Sequence, residues 1–173
     1  DFFIVHNVGS LQEDENQRGL AHFLEHMAFN GTKHFPGNNL INYFESIGVR
    51  FGTNVNAYTS MSRTVYNISE VPITRSTVID STLLALHDWS HYINCLPEDI
   101  KKERGVVREE MRLGDEPINR MQEAISEIQQ RGSRFAVRKP IGLAKVVENF
   151  KREELIDFYH KGYRPNEQTV VAV

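Results

Sequence analysis

Two histidines and a glutamate share the short segment His22-Phe-Leu-Glu-His26. In a helix, His22 and His26 lie one turn apart on the same face and can bind one metal ion, because residues four apart are neighbours. Neutral imidazoles bind zinc at about 2.0–2.1 Å. Glu25 falls on that face as well, so its carboxylate can reach a water molecule at the metal without being a ligand. The spacing predicts a zinc site beside a general base.

The apolar residues of this segment predict a helix with one packed face. At about 100° per residue, Leu20, Leu24 and Met27 point in nearly one direction, and the two histidines and the glutamate point the opposite way. The five-residue pattern alone is equally compatible with a surface helix that carries scattered polar residues. A third ligand is needed to distinguish these interpretations.

The best source of a third ligand is a helix that begins at a proline and runs over residues 97–113. On a helical wheel with Ile100 at 0°, Ile100 and Val107 define the buried face. Glu103, at about 300°, and Glu110, at about 280°, lie at the border of this face. Glu109, at about 180°, points to solvent. Carboxylates at a core border are costly unless paired or bound to metal. We therefore take Glu110 as the ligand and Glu103 as the carboxylate that orients the site. Surface ion pairs with neighbouring lysine and arginine side chains are the alternative.

Composition and charge limit the classes of function. The chain has 173 residues, of which 40% are hydrophobic and 25% charged, as in an ordinary globular domain. The net charge of -3, with both signs interspersed, argues against nucleic-acid binding. No apolar run approaches the roughly 18 residues of a membrane helix. The single cysteine, Cys95, cannot form an internal disulfide and is expected in the core.

Hydrophobic periodicity predicts a strand near each end of the chain, with most of the helices between them. Strands are predicted over residues 2–8, 49–59, 61–71 and 168–173. Helices are predicted over residues 20–30, 39–47, 73–94, 97–113, 118–130, 143–147 and 152–161. The two central strands are close enough in sequence to form an antiparallel pair. This order of elements indicates an α+β fold.

These segments resemble the pitrilysin/insulinase family of zinc peptidases, the inverzincins, whose signature is His-x-x-Glu-His. The similarity includes Gly19–Thr32, Asn56–Ser60, Glu103–Glu110 and Phe158–Pro165, and so covers nearly the whole chain. Residues 31–37 look most like bacterial members. The resemblance implies a mixed, largely antiparallel sheet with helices packed mainly on one face, as in the mitochondrial processing peptidase.

The resemblance also implies roles for individual residues. By this resemblance, His22, His26 and Glu110 would bind zinc, and Glu25 would be the general base. Glu103 would be the supporting carboxylate. Asn56 and Ala57 would belong to the substrate-binding edge strand. On the helical wheel of residues 20–30, with Leu20 at 0°, Phe29 falls at about 180°. It therefore lies on the side of the two histidines and is expected to line a substrate pocket. One zinc ion per domain would activate a water molecule, and the glutamate would accept its proton. The expected reaction is endoproteolysis of peptides or small unfolded proteins.

Enzymes of this family have a second, homologous half that closes a chamber around the substrate. Residues 1–173 are therefore expected to form a single N-terminal catalytic domain, a fragment of a longer chain. Activity is expected to require the homologous half or a partner subunit. The compartment is not determined by the sequence, and a bacterial periplasm or cell envelope is the expectation.

Three other interpretations remain open. The domain could be a non-catalytic scaffold half, although such halves usually lose part of the histidine-glutamate motif. It could instead be a peptide-binding half without turnover. His87 and His91 are also four residues apart, which allows a second metal site, but a role in packing or solvent exposure is the simpler interpretation.

Overall fold

Four strands form one antiparallel sheet in this computed structural model, which describes residues 1–173. The strands are β1 (Phe2–His6), β2 (Val55–Thr59), β3 (Thr64–Ile68) and β4 (Gln168–Ala172), in the spatial order β2-β3-β1-β4. In β1, one of the two inner strands, Ile4 lies opposite Tyr66 on one side and Val170 on the other. The predicted α+β fold with a largely antiparallel sheet is confirmed.

Seven α-helices connect and cover the strands. They are α1 (Leu20–Met27), α2 (Asn39–Ser46), α3 (Ser76–His91), α4 (Pro97–Leu113), α5 (Pro117–Gln129), α6 (Ala144–Asn149) and α7 (Arg152–Gly162). Prolines begin α4 and α5, at a position where the helix has no use for the missing N–H group. All seven predicted helices are present, and α4 has the predicted bounds.

One face of the sheet is buried and contacts α1 and α3. Phe2, Ile4 and Tyr66 point to this face because side chains alternate along a strand. Trp89 of α3 stacks on Tyr66 with 5.2 Å between ring centroids, and its indole N–H donates to the Ala28 carbonyl oxygen at 3.1 Å. Since each such buried side chain contributes about 1.5–3 kcal/mol, this packing holds α1 against the sheet.

Helix α1 is buried on almost every side. It contacts the sheet, α4 and α7, and its fully buried residues are Leu20, Ala21, Phe23 and Leu24. The apolar face predicted from the helical wheel is confirmed. Only the side that carries the two histidines keeps contact with solvent.

Several elements are shorter than predicted, including β1, β3 and α3. Two further differences, at the end of α1 and the beginning of β2, follow from local turn chemistry. Helix α1 ends at Met27, and the chain then turns towards Gly31, whose φ of +133° disfavours any other residue. The first part of the predicted second strand is a turn, in which the Asn54 N–H donates to the Arg50 carbonyl oxygen at 2.8 Å. Asparagine favours such turns, so β2 begins only at Val55.

The loop before α6 packs against the beginning of α1. Gly142 has a φ of +75°, and a Cβ atom there would lie 2.3 Å from the Cα atom of Gly19. Glu13, which is fully buried, accepts a hydrogen bond from the Ala21 N–H at 2.9 Å and so satisfies one of the free N–H groups in the first turn of α1. The contact between Gly142 and Gly19 brings the loop to the side of the molecule that carries the histidines, where Pro140 and Ile141 line the same cleft as these histidines.

Candidate metal centre and active-site cleft

Three predicted ligand atoms converge between α1 and α4. The Nε2 atoms of His22 and His26 are 3.3 Å apart, and the Glu110 Oε2 atom lies 3.5 Å from the first and 3.4 Å from the second. The two imidazoles share one face of α1 because they are one turn apart. Glu110 reaches them because α4 packs against α1.

These separations fit a tetrahedral zinc ion. With zinc–ligand bonds of about 2.0–2.1 Å, two tetrahedral ligands lie roughly 3.3–3.4 Å apart. His22, His26 and Glu110 meet this requirement with two nitrogen atoms and one oxygen atom. Such a set leaves a fourth coordination position for water or substrate. The Glu110 side chain is 44% exposed, so it lies further from the core than its predicted border position.

Glu103 supports His26 from the side away from the cluster. Its Oε1 atom accepts a hydrogen bond from His26 Nδ1 at 2.8 Å, which directs Nε2 of the same ring towards the cluster. Its Oε2 atom accepts a hydrogen bond from the Asn30 side-chain amide, also at 2.8 Å. The Glu103 side chain is 9% exposed, so both bonds form in a setting largely closed to water. Glu103 therefore lies where its carboxylate can orient the His26 ring.

The pKa values of the two histidines are shifted in opposite directions. Burial, with a smaller effect from the charge of His26, lowers the pKa of His22 to about 4. Burial alone would also lower the pKa of His26, but its hydrogen bond to Glu103 and the charges of Glu110, Glu103 and Glu25 raise it overall. His22 is therefore neutral at pH 7, as a metal ligand must be. The surrounding carboxylates favour a cation between the two rings.

Glu25 lies beside the three converging groups on the same helix. It is 9% exposed, and its Oε2 atom accepts a hydrogen bond from the Thr59 hydroxyl at 2.6 Å. Burial raises the pKa of Glu25, and the hydrogen bond from Thr59 partly opposes that rise. A carboxylate with a raised pKa is a stronger base, which suits it to accept a proton from a water molecule.

These groups open into a cleft of about 750 Å³. One wall is β2, whose only neighbouring strand is β3 and whose outer edge is free beyond the bridge between Val55 and Phe51, with Asn56 and Ala57 in the cleft lining. Phe29 contributes an apolar surface together with Phe51, at 5.2 Å between ring centroids, and Ile41. An extended peptide could therefore lie along the free strand and place a side chain against this apolar surface.

The structure brings all the predicted site residues into one cleft, including Asn56, Ala57 and Phe29. Sequence reasoning gave no role to Asn30 or Thr59. Both lie within the segments that resemble the family, but no helical or strand periodicity marks them. Their contacts join residues that are 73 and 34 positions apart, so only the tertiary structure reveals them.

Other candidate groups lie outside the cleft. His87 and His91 are exposed and do not belong to the three-ligand cluster. Cys95 is buried as expected, and burial raises its pKa to about 12, which leaves the thiol protonated and unreactive. None of the helices combines the length and the apolar composition needed to cross a membrane.

Comparison with known proteins identifies relatives of this chain. It is 38% identical over 170 residues to the Probable zinc protease PqqL of Haemophilus influenzae, and 40% identical over 167 residues to the protein of the same name in Escherichia coli. The crystal structure of the periplasmic protease PqqL from Escherichia coli matches with a TM-score of 0.93 at 39% identity.

These matches cover 96–98% of this chain but only 18–19% of each relative, so the chain spans under one fifth of their length. The sequence model of the family described as Insulinase (Peptidase family M16) matches residues 3–140. The fold, the histidine-glutamate cluster and these similarities agree, and this chain belongs to the insulinase family of peptidases, Peptidase family M16.

Proposed function

We propose that this domain is the catalytic part of a zinc-dependent endopeptidase that cleaves peptides or small unfolded proteins. The observation that carries the proposal is the convergence of His22, His26 and Glu110, with separations that suit one tetrahedral zinc ion. The names of the relatives, which are zinc proteases, support the same activity.

The proposed chemistry assigns distinct tasks to the residues around the cluster. A zinc ion held by the three ligands would polarise the scissile carbonyl and lower the pKa of a water molecule. Glu25 accepts the proton of the attacking water and later donates it to the leaving amine. Glu103 keeps the His26 ring oriented through the bond at 2.8 Å to Nδ1.

Substrate is proposed to bind as an added strand on the free edge of β2. Main-chain hydrogen bonds near Asn56 and Ala57 would supply affinity that does not depend on sequence. Selectivity would then come from pockets, and the apolar surface formed by Phe29 and Phe51 favours a large hydrophobic side chain. The enzyme is therefore expected to have broad specificity with a preference for hydrophobic residues near the cleaved bond.

Residues 1–173 are proposed to be a single N-terminal catalytic domain within a longer polypeptide. The relatives are more than five times as long as the matched segment. In a crystal structure of the first half of the Escherichia coli protein, the match to this chain covers 36% of the crystallised chain. A homologous half or partner subunit would complete the chamber. Because that relative is described as periplasmic, we propose a periplasmic location for this protein too.

The function is tested with Glu25→Gln in the full-length enzyme. The wild type should bind one zinc ion per domain and cleave an unstructured peptide, and the variant should keep its zinc but lose about 10²–10⁴-fold in kcat. Glu109→Gln is the matched control, since Glu109 is an exposed residue of α4 paired with Arg112. Cleavage by Glu25→Gln at the wild-type rate with zinc bound would show that the assigned base is wrong. A wild type without stoichiometric zinc would instead indicate a scaffold or peptide-binding half.

A further inference from the structure

Thr59 connects the edge strand of the sheet to the carboxylate beside the metal cluster. Its hydroxyl donates to the Glu25 Oε2 atom at 2.6 Å, across 34 residues of sequence. We propose that Thr59 is a positioning residue that fixes the orientation of Glu25 and couples it to the strand on which substrate binds. The inference rests on the proposed function, since it concerns the same carboxylate.

The donor sits at a well-defined point of the sheet. Thr59 is the last residue of β2 and lies opposite Thr64 of β3. The chain then reverses in a turn in which the Ser60 N–H donates to the Arg63 carbonyl oxygen at 2.8 Å. The Ser60 hydroxyl oxygen accepts from the Arg63 N–H at 3.1 Å. The turn is thus held by its own hydrogen bonds directly after the donor.

This turn is also tied to the segment that follows β1. The Ser10 N–H donates to the Ser60 carbonyl oxygen at 3.3 Å, and the Leu11 N–H donates to the Met61 carbonyl oxygen at 2.8 Å. Gly9 permits the approach, because a Cβ atom there would lie 2.3 Å from the Ser60 carbonyl oxygen. Since the β-branched side chain of a threonine has few rotamers, its hydroxyl is presented from a rigid support.

The acceptor has one oxygen held and one oxygen free. Oε2 of Glu25 is engaged by Thr59, while Oε1 has no hydrogen-bond partner in the protein and belongs to a residue that lines the cleft. A carboxylate bonded through one oxygen has fewer orientations than a free one, and proton transfer depends on a fixed geometry. Thr59 therefore selects the oxygen that meets the water molecule and the leaving amine.

The contact also links substrate binding to catalysis. A peptide that pairs with the outer edge of β2 orders the backbone of this strand, which includes Asn56, Ala57 and Thr59. Thr59 lines the same cleft, but its hydroxyl is engaged by the base, so loss of the hydroxyl should affect the chemical step more than substrate affinity. A residue that merely supported the strand would instead change stability or substrate affinity.

The test compares three variants in the full-length enzyme. Thr59→Val keeps the shape of the side chain but removes the donor, and Thr59→Ser keeps the hydroxyl. Thr169→Val, at an exposed position of β4, is the matched control. We expect kcat of Thr59→Val to fall about 10–100-fold with one zinc retained and KM within about twofold of wild type, because a hydrogen bond to a charged group is lost. Thr59→Ser should recover most of kcat, and Thr169→Val should match the wild type.

The outcomes separate this inference from the proposed function. If the wild type cleaves peptide and Glu25→Gln does not, but Thr59→Val keeps wild-type kcat, the positioning role is wrong and the proposed function stands. A raised KM with unchanged kcat also overturns the role. If the zinc-loaded wild type cleaves nothing, the proposed function fails, and the inference fails with it. Thr59→Ala supplies the same comparison if Thr59→Val does not fold.

Discussion

Removal of the Glu103 carboxylate should weaken zinc binding although no zinc ligand is changed. The carboxylate accepts hydrogen bonds from His26 Nδ1 and from the Asn30 amide, each at 2.8 Å, and its side chain is only 9% exposed. In Glu103→Ala the His26 ring loses the acceptor that directs its Nε2 atom towards the metal. The Asn30 amide also loses a partner within the cleft.

The size of the effect can be estimated in two ways. A hydrogen bond that involves a charged group contributes about 1.5–3 kcal/mol. Loss of a group that orients a metal ligand typically costs about 10–100-fold in metal affinity, which is about 1.4–2.8 kcal/mol. The two ranges agree. Glu103→Gln keeps an oxygen that can accept from His26 but removes the charge, so its loss should be near tenfold, at the lower end.

The assay is the zinc dissociation constant, measured at pH 7.5 by competition with a chromophoric chelator. Glu109→Gln on the same helix is the control, because this exposed carboxylate faces away from the cluster and pairs with Arg112 at 2.7 Å. The order of affinity should be wild type equal to the control, then Glu103→Gln, then Glu103→Ala. A Glu103→Ala protein that binds zinc within twofold of wild type would refute the orienting role.

Two further predictions concern stability. His6 is fully buried with no hydrogen-bond partner for either ring nitrogen, and burial lowers its pKa to about 3. As the pH falls below about 6.5, this histidine takes up a proton in the unfolded chain but stays neutral in the folded one. The free energy of unfolding therefore decreases by about 3 kcal/mol by pH 4. His6→Phe should lose correspondingly less stability between pH 7 and pH 4 in urea unfolding, and a pH dependence equal to wild type would contradict this. Gly142→Ala should cost about 2–4 kcal/mol, because it combines a positive φ with a clash against Gly19. Gly132→Ala, with a φ of +84° and open space around it, should cost only the conformational part of about 1–2 kcal/mol, and equal losses in the two variants would rule out the close approach.

The parts of the site that depend on helical spacing could be predicted from the sequence. The positions of His22, Glu25 and His26 on one side of α1 follow from the geometry of a single helix, and burial of the opposite side agrees with this. The border position of Glu103 on α4 follows in the same way, and the 9% exposure of its side chain agrees. The beginning of α4 was predictable because a proline marks it.

Contacts between elements could not be derived from periodicity. The helical wheel placed Glu110 at the border of the buried face and made it the candidate third ligand, and the resemblance to a peptidase family gave the same assignment. Neither could give the 3.4 Å between its carboxylate and His26 or its exposed position. The bond between Asn30 and Glu103 depends on the turn that ends α1, whose position was predicted too late in the chain. The bond between Thr59 and Glu25 depends on where β2 ends.

The sequence by itself determined which residues share a helix face, the α+β class and the peptidase family. The tertiary structure decided which faces meet, how far apart the ligand atoms lie, and which uncharged side chains hold the charged ones in place. The physical reason is that helical and strand periodicity is set by the local backbone, whereas the distances between α1, α4 and β2 result from the packing of the shared core around Trp89 and Tyr66.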